Sequence, residues 1–176
     1  MRRQVMDGVI IAGAVVLGAA QLFAQGVVGR TVVHPNQAGG VTGSAVHAAS
    51  GPNGGAAVGA HGFATDGQGN AAGGSAQAVR GPGGATAARA GKWTRSADGS
   101  AQHQGAFAVN GRRGGVTSSG SVTRSADGSV NGARTTTATA NSGATYHGDT
   151  SYEQGSGLTH TATCTNAAGA VVPCPR

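Results

Sequence analysis

Six histidines, six carboxylates, two cysteines and a scatter of arginines carry the chemistry available to this chain of 176 residues. His34, His47, His61, His103, His147 and His160 contain no i, i+4 pair and no His-Glu-x-x-His run. A metal site would have to gather its ligands from separate segments, and His147 with His160 is the closest to a cross-strand pair. Asp66, Asp98 and Asp127 each stand directly before a glycine, where turn chemistry accounts for them. Of the other acids Asp7 is in the leader, and Asp149 and Glu153 are too thin a supply for paired-carboxylate catalysis. No Gly-x-Ser-x-Gly occurs, Gly91-Lys92 lacks the upstream glycine of a phosphate loop, and nothing marks any Ser or Thr as an activated nucleophile. The expectation is a protein that is not an enzyme, with no catalytic residue, cofactor, metal or small-molecule substrate.

The arginines offer attraction instead. Arg95 and Arg124 hold the same place in two copies of Thr-Arg-Ser-Ala-Asp-Gly-Ser, Thr94–Ser100 and Thr123–Ser129. Aligned in a row, with Trp93 beside them, they would attract an anionic polymer: polysaccharide, lipopolysaccharide or nucleic acid. The plainer reading is positive charge that deters strand pairing at an edge. Cys164 and Cys174 flank Gly169 symmetrically, and an even pair in an exported chain reads as a disulfide.

The elements that would position these residues are extended. Gly accounts for 34 residues, against a usual share of about 7%. Glycine opposes helix, and no apolar 3.6-residue period follows residue 24. Turn signals recur and alternate in kind. Gly-rich turns lie near residues 54, 83, 113 and 143, and Asp-Gly turns near 67, 99 and 128, with Gly155 in the same phase. The unit is about 30 residues, two strands and two turns, and such a period marks an array of stacked units. The Asp-Gly turns are expected to be two-residue hairpin turns with positive φ. Phe63, Trp93, Val122 and Tyr152 precede successive turns of this kind and should stack at equivalent places. The spacing is imperfect, so bulges or register slips are expected.

The fold class is therefore all-β: an extended antiparallel β-meander of two-strand repeats, partly disordered. The alternatives are a β-solenoid, or a mostly disordered, low-complexity chain with only a terminal hairpin formed. Residues 1–24, with Arg2 and Arg3 ahead of an uncharged run, have the layout of a signal peptide. Residues 25–50 read as a linker or irregular first repeat, 51–157 as the array, and 158–176 as a disulfide-stapled hairpin that caps it. Only twenty large apolar side chains follow residue 24 (fourteen Val, Leu158, Phe63, Phe107, Trp93, Tyr146 and Tyr152), too few for a conventional core.

The Gly51–Gly55 turn, the two Thr-Arg-Ser-Ala-Asp-Gly-Ser turns and the Thr161–Pro175 hairpin resemble, in style, a loose group of bacterial secreted proteins built of Gly/Ala/Thr-rich β-repeats. That resemblance, over residues 51–176, implies export and β-repeat construction and transfers no functional residue. The expected role is structural or interactive, in the periplasm, at the cell surface or secreted. Strand edges would serve self-association, and the alternative is an anionic polymer bound through the arginine row. A membrane enters only through an uncleaved leader.

Overall fold

The computed structural model describes residues 26–174; the leader expected at residues 1–24 lies outside them. Ten strands of nine to eleven residues and one of two follow in order. They are β1 (Gly26–Pro35), β2 (Val41–Ser50), β3 (Ala56–Thr65), β4 (Ala71–Arg80), β5 (Thr86–Arg95), β6 (Ala101–Gly111), β7 (Gly114–Arg124), β8 (Val130–Ala140), β9 (Thr145–Glu153), β10 (Gly157–Thr165) and β11 (Val171–Val172). All belong to one sheet whose spatial order is the order of the sequence, each neighbour antiparallel. Among the described residues no strand touches any strand but its sequence neighbours. The sheet is thus an open meander one layer thick, about 48 Å across and about 33 Å along the strands, and the solenoid alternative falls away. Within residues 25–50, read above as a linker or irregular first repeat, Gly26–Pro35 and Val41–Ser50 form β1 and β2 in continuous register with β3.

The hairpin turns explain the period. Positive-φ glycines recur at Gly39, Gly54, Gly69, Gly84, Gly99, Gly114, Gly128 and Gly143, with steps of 15 or 14 residues. The two kinds of turn mark the two ends of the sheet. Loops beginning at Asn36, Asp66, Ser96 and Ser125 lie at one end, and those beginning at Gly51, Gly81 and Asn166 at the other. Their form differs from the two-residue turns expected. In the duplicated segment Gly99 N donates to Ser96 O at 3.0 Å and Ser96 N to Ser100 O at 2.9 Å, and Gly128 and Ser125 repeat the pattern. This is a type I turn followed by a left-handed glycine, so positive φ is needed only at the glycine. Asp98 and Asp127 keep negative φ, and their carboxylates accept the amides of Ser100 and Ser129 at 2.8 and 2.9 Å. The missing residue between the repeats is absorbed at Arg112-Arg113, a shorter turn, rather than by a slip within a strand.

No core exists in the usual sense. Cys164 is the single buried hydrophobic side chain among the described residues, and Asp66 and Ser118 are the buried polar ones. Backbone ladders and cross-strand side-chain pairs, each worth about 0.2–1 kcal/mol, hold the sheet instead. The loops add a second thread. Asn36 Nδ2 donates to Thr65 O at 2.7 Å, Ala97 N to Asn70 Oδ1 at 2.9 Å, and Asn141 Nδ2 to Arg112 O at 2.6 Å, each tying one hairpin to the next.

Asp66 anchors one of these loops. Its carboxylate accepts from the Asn70 side chain, from Gln68 N at 2.8 Å and from Asn70 N at 3.0 Å. The Asn70 side chain first, then the Gln68 amide, hold its pKa below the ordinary value. Ser100 does the same for Asp98, Ser129 for Asp127, and Thr135 foremost for Asp149. A carboxyl depressed by folding contributes stability above its unfolded pKa, near 3.9, and loses it as pH falls through the lower folded value. The melting temperature should therefore hold level from neutrality to about pH 5 and drop below about pH 4. Asp66→Asn should flatten part of that drop; an acid limb unchanged in the variant would contradict the assignment.

The candidate binding face

Cross-strand register sorts the side chains of the sheet into two unlike faces. One row runs Val33, Gly43, Phe63, Gly73, Trp93, His103, Val122, Gly132, Tyr152, Leu158 from β1 to β10. The four residues expected to stack do share one row, on every second strand, with glycine or histidine between them. Phe107 and Tyr146 occupy the same face, so every aromatic side chain of the described residues is on it. We call it the aromatic face. The other face carries rows of mostly small residues: Ala60, Ala76, Ala90 and Ala106 in one row over β3–β6, and Thr117, Thr137 and Thr163 on β7, β8 and β10, with His147 between them on β9.

Glycine makes the aromatic row lie down. A Cβ at Gly43 would fall 2.4 Å from the Phe63 ring, one at Gly73 2.8 Å from the Trp93 indole, and one at Gly59 2.3 Å from the His47 imidazole. Each large side chain fills the space over the glycine of an adjacent strand, which shelters that bare backbone in return. The rings stay partly open to solvent, Phe63 at 40% and Trp93 at 38%. Below the row, Gly91, Gly105 and Gly120 stand opposite one another on β5, β6 and β7 and form a floor. Two shallow depressions follow this band, about 280 Å³ between His61, Phe63 and Trp93, and about 250 Å³ between Val122, Arg134 and Tyr152. They meet at His103.

Arg95 and Arg124 lie on this face, in the row beside the aromatic one. Arg95 pairs with Ala101, and Ala101 with Arg124, so one strand separates them. Both are exposed, and no carboxylate among the described residues is within ion-pair distance of either. Their nearest acids in sequence, Asp98 and Asp127, are turned into their own loops. Arg89 and Arg134 share the face, Arg89 donating to Gln77 Oε1 at 2.9 Å and Arg134 sitting 5.9 Å over the Phe107 ring. Every Asp and Glu of the described residues lies in a loop or on the opposite face, as do Arg30, Arg80 and Lys92. The aromatic face therefore carries four guanidiniums and no negative charge. Two groups that sequence reading left out of the site complete it: the glycine floor, and Arg134 with Phe107. A strand-by-strand alternation count would have found both.

The histidines do not converge. His147 and His160, the nearest to a cross-strand pair in the sequence, fall on opposite faces, because His147 pairs with Thr163 and His160 with Thr150. His147 Nε2 meets Asp149 Oδ2 at 3.1 Å, while His160 takes Thr150 Oγ1 at 2.8 Å. The cysteines are joined, with Cα atoms 5.3 Å apart. They do not face each other across a symmetric hairpin: Cys164 pairs with Val172, and Cys174 lies two residues further on. A disulfide suggests an oxidising, extracytoplasmic environment. No family model matches the chain, and no curated protein or solved structure matches it.

Proposed function

We propose that the chain is an exported, non-enzymatic β-repeat protein that works by interaction outside the cytoplasm, and that its working surface is the aromatic face. One observation carries this reading. A sheet one layer thick leaves uncovered a face that gathers every Phe, Trp and Tyr of the described residues and four arginines with no acid. The face measures about 1,600 Å² by strand spacing, against about 800 Å² per partner in a standard interface. A second copy is a poor occupant, since face-to-face packing would oppose eight guanidiniums, four plus four, with no carboxylate between them. An anionic polymer suits both features.

Trp93 is the single tryptophan, so its emission reports on this face directly. Dextran sulfate should shift that emission at low salt, and the shift should fade as salt rises; neutral dextran should not shift it. An indifferent Trp93, together with salt-insensitive self-association, would replace this reading with a second one. That second reading rests on the edges: all ten residues of β1 are exposed, and no strand among the described residues pairs with its outer side.

A further inference from the structure

We infer that the aromatic face binds a linear acidic polysaccharide laid across the strands, with one acidic group in each disaccharide; this rests on the reading of that face as a polyanion surface. The spacing decides the polymer class. Phe63, Trp93, Val122 and Tyr152 recur on β3, β5, β7 and β9. Two strand spacings separate them, about 9.5 Å. Arg95 and Arg124 recur at the same interval in the adjoining row. The large apolar side chains of this row, three of them rings, thus share one interval with the two guanidiniums, about the length of a disaccharide in a linear glycan of pyranoses.

The shape of the band agrees. From Phe63 to Tyr152 it crosses six strand spacings, about 29 Å, room for roughly three disaccharides. Phe63 and Trp93 lie over glycines, so they offer flat apolar surface to the C–H faces of sugar rings rather than slots for inserted planes. The Gly91–Gly105–Gly120 floor gives the depth a pyranose needs. Ser75, Thr150 and the ring nitrogens of His61 and His103 stand along the path as hydrogen-bonding groups for hydroxyls. A single-stranded nucleic acid is a weaker match. It brings a charge and a stackable base with every nucleotide, whereas the large apolar side chains of the Phe63–Tyr152 row and the guanidiniums of the Arg95–Arg124 row come only on alternate strands.

The test uses the oxidised chain and hyaluronate oligosaccharides of increasing length, which carry one carboxylate per disaccharide. Calorimetry should show affinity rising with length and levelling at about three disaccharides. Trp93→Ala should lower it about tenfold. Arg95→Ala and Arg124→Ala should each lower it several-fold and flatten the salt dependence, while Lys92→Ala, on the opposite face, should leave it unchanged. Circular dichroism of each variant reports folding, and the two arginine variants alone suffice if Trp93→Ala unfolds. Equal affinity for neutral chitin oligosaccharides would overturn the acidic class. Binding of oligothymidylate or lipopolysaccharide micelles without hyaluronate would overturn the glycan and leave the polyanion face standing. Silence towards every anionic polymer would remove both.

Discussion

Gly114→Ala should destabilise the protein by about 2–4 kcal/mol, combining a strained backbone with a steric clash. Gly114 opens β7 at φ +141°, where side-chain-bearing residues are rare. A Cβ there would sit 2.1 Å from Thr139 O and 2.8 Å from the Ala140 Cα, both backbone atoms of β8. Neither can swing away as a side chain could, so the β7–β8 ladder must shift. Gly99→Ala isolates the strain component. It has φ +86° and nothing within 4 Å of a Cβ, and about 1 kcal/mol is expected. The consequence of Gly114→Ala extends beyond its size. Each strand leans only on its neighbours, so stability propagates along the sheet as it does in repeat proteins. A weakened β7–β8 joint should uncouple the strands before it from those after it. Denaturant unfolding, expected as one transition in the parent, should broaden or split in two in the variant, and hydrogen exchange should rise first on either side of residue 114. A single sharp transition with a loss below 1 kcal/mol would contradict the one-layer account.

The period behind that account was legible in the sequence because turns are local. Gly99 and Gly128 announce themselves by type, and the steps between turns count the strands. The turn geometry was not legible. Ser-Ala-Asp-Gly-Ser supports either a two-residue turn with positive φ at Asp or a longer one with positive φ at Gly alone, and the Asp98 carboxylate selects the second by accepting the Ser100 amide. The candidate site was legible in its parts: Arg95, Arg124 and Trp93 do share one face. Their company was hidden, because Gly73 and Trp93 are neighbours in space at twenty residues' separation. Glycine inside a strand reads as a weakness until the ring above it is known. The faces of His147 and His160 were hidden for a related reason: a shift of one residue in register sends a side chain to the other face.

Breaking the disulfide should convert a self-limited protein into one that grows. β11 covers only Cys164 and Thr165, so the cap expected on the sheet is a two-residue plug, and the outer edge of β10 from Gly157 to Thr163 is unpaired by any described strand. β1 and β10 run in opposite directions, since nine antiparallel steps separate them. A copy displaced along the sheet could therefore pair its β1 with β10 and continue both faces. Such head-to-tail contact does not close and leads to fibres. In the oxidised protein Val171 and Val172 occupy the place that the start of an incoming β1 would take, and the Cys164–Cys174 bond holds them there. Cys174→Ser, or reduction, removes a short-loop crosslink worth about 2–3 kcal/mol and frees the plug to leave. Sedimentation velocity should then show long oligomers where the oxidised protein stays small. Val28→Lys with Val32→Lys, which places repelling charge on β1, should abolish that growth. Reduced protein that stays as small as oxidised protein would show that the plug restrains nothing. Growth that ignores the β1 lysines would place the contact elsewhere than on this edge.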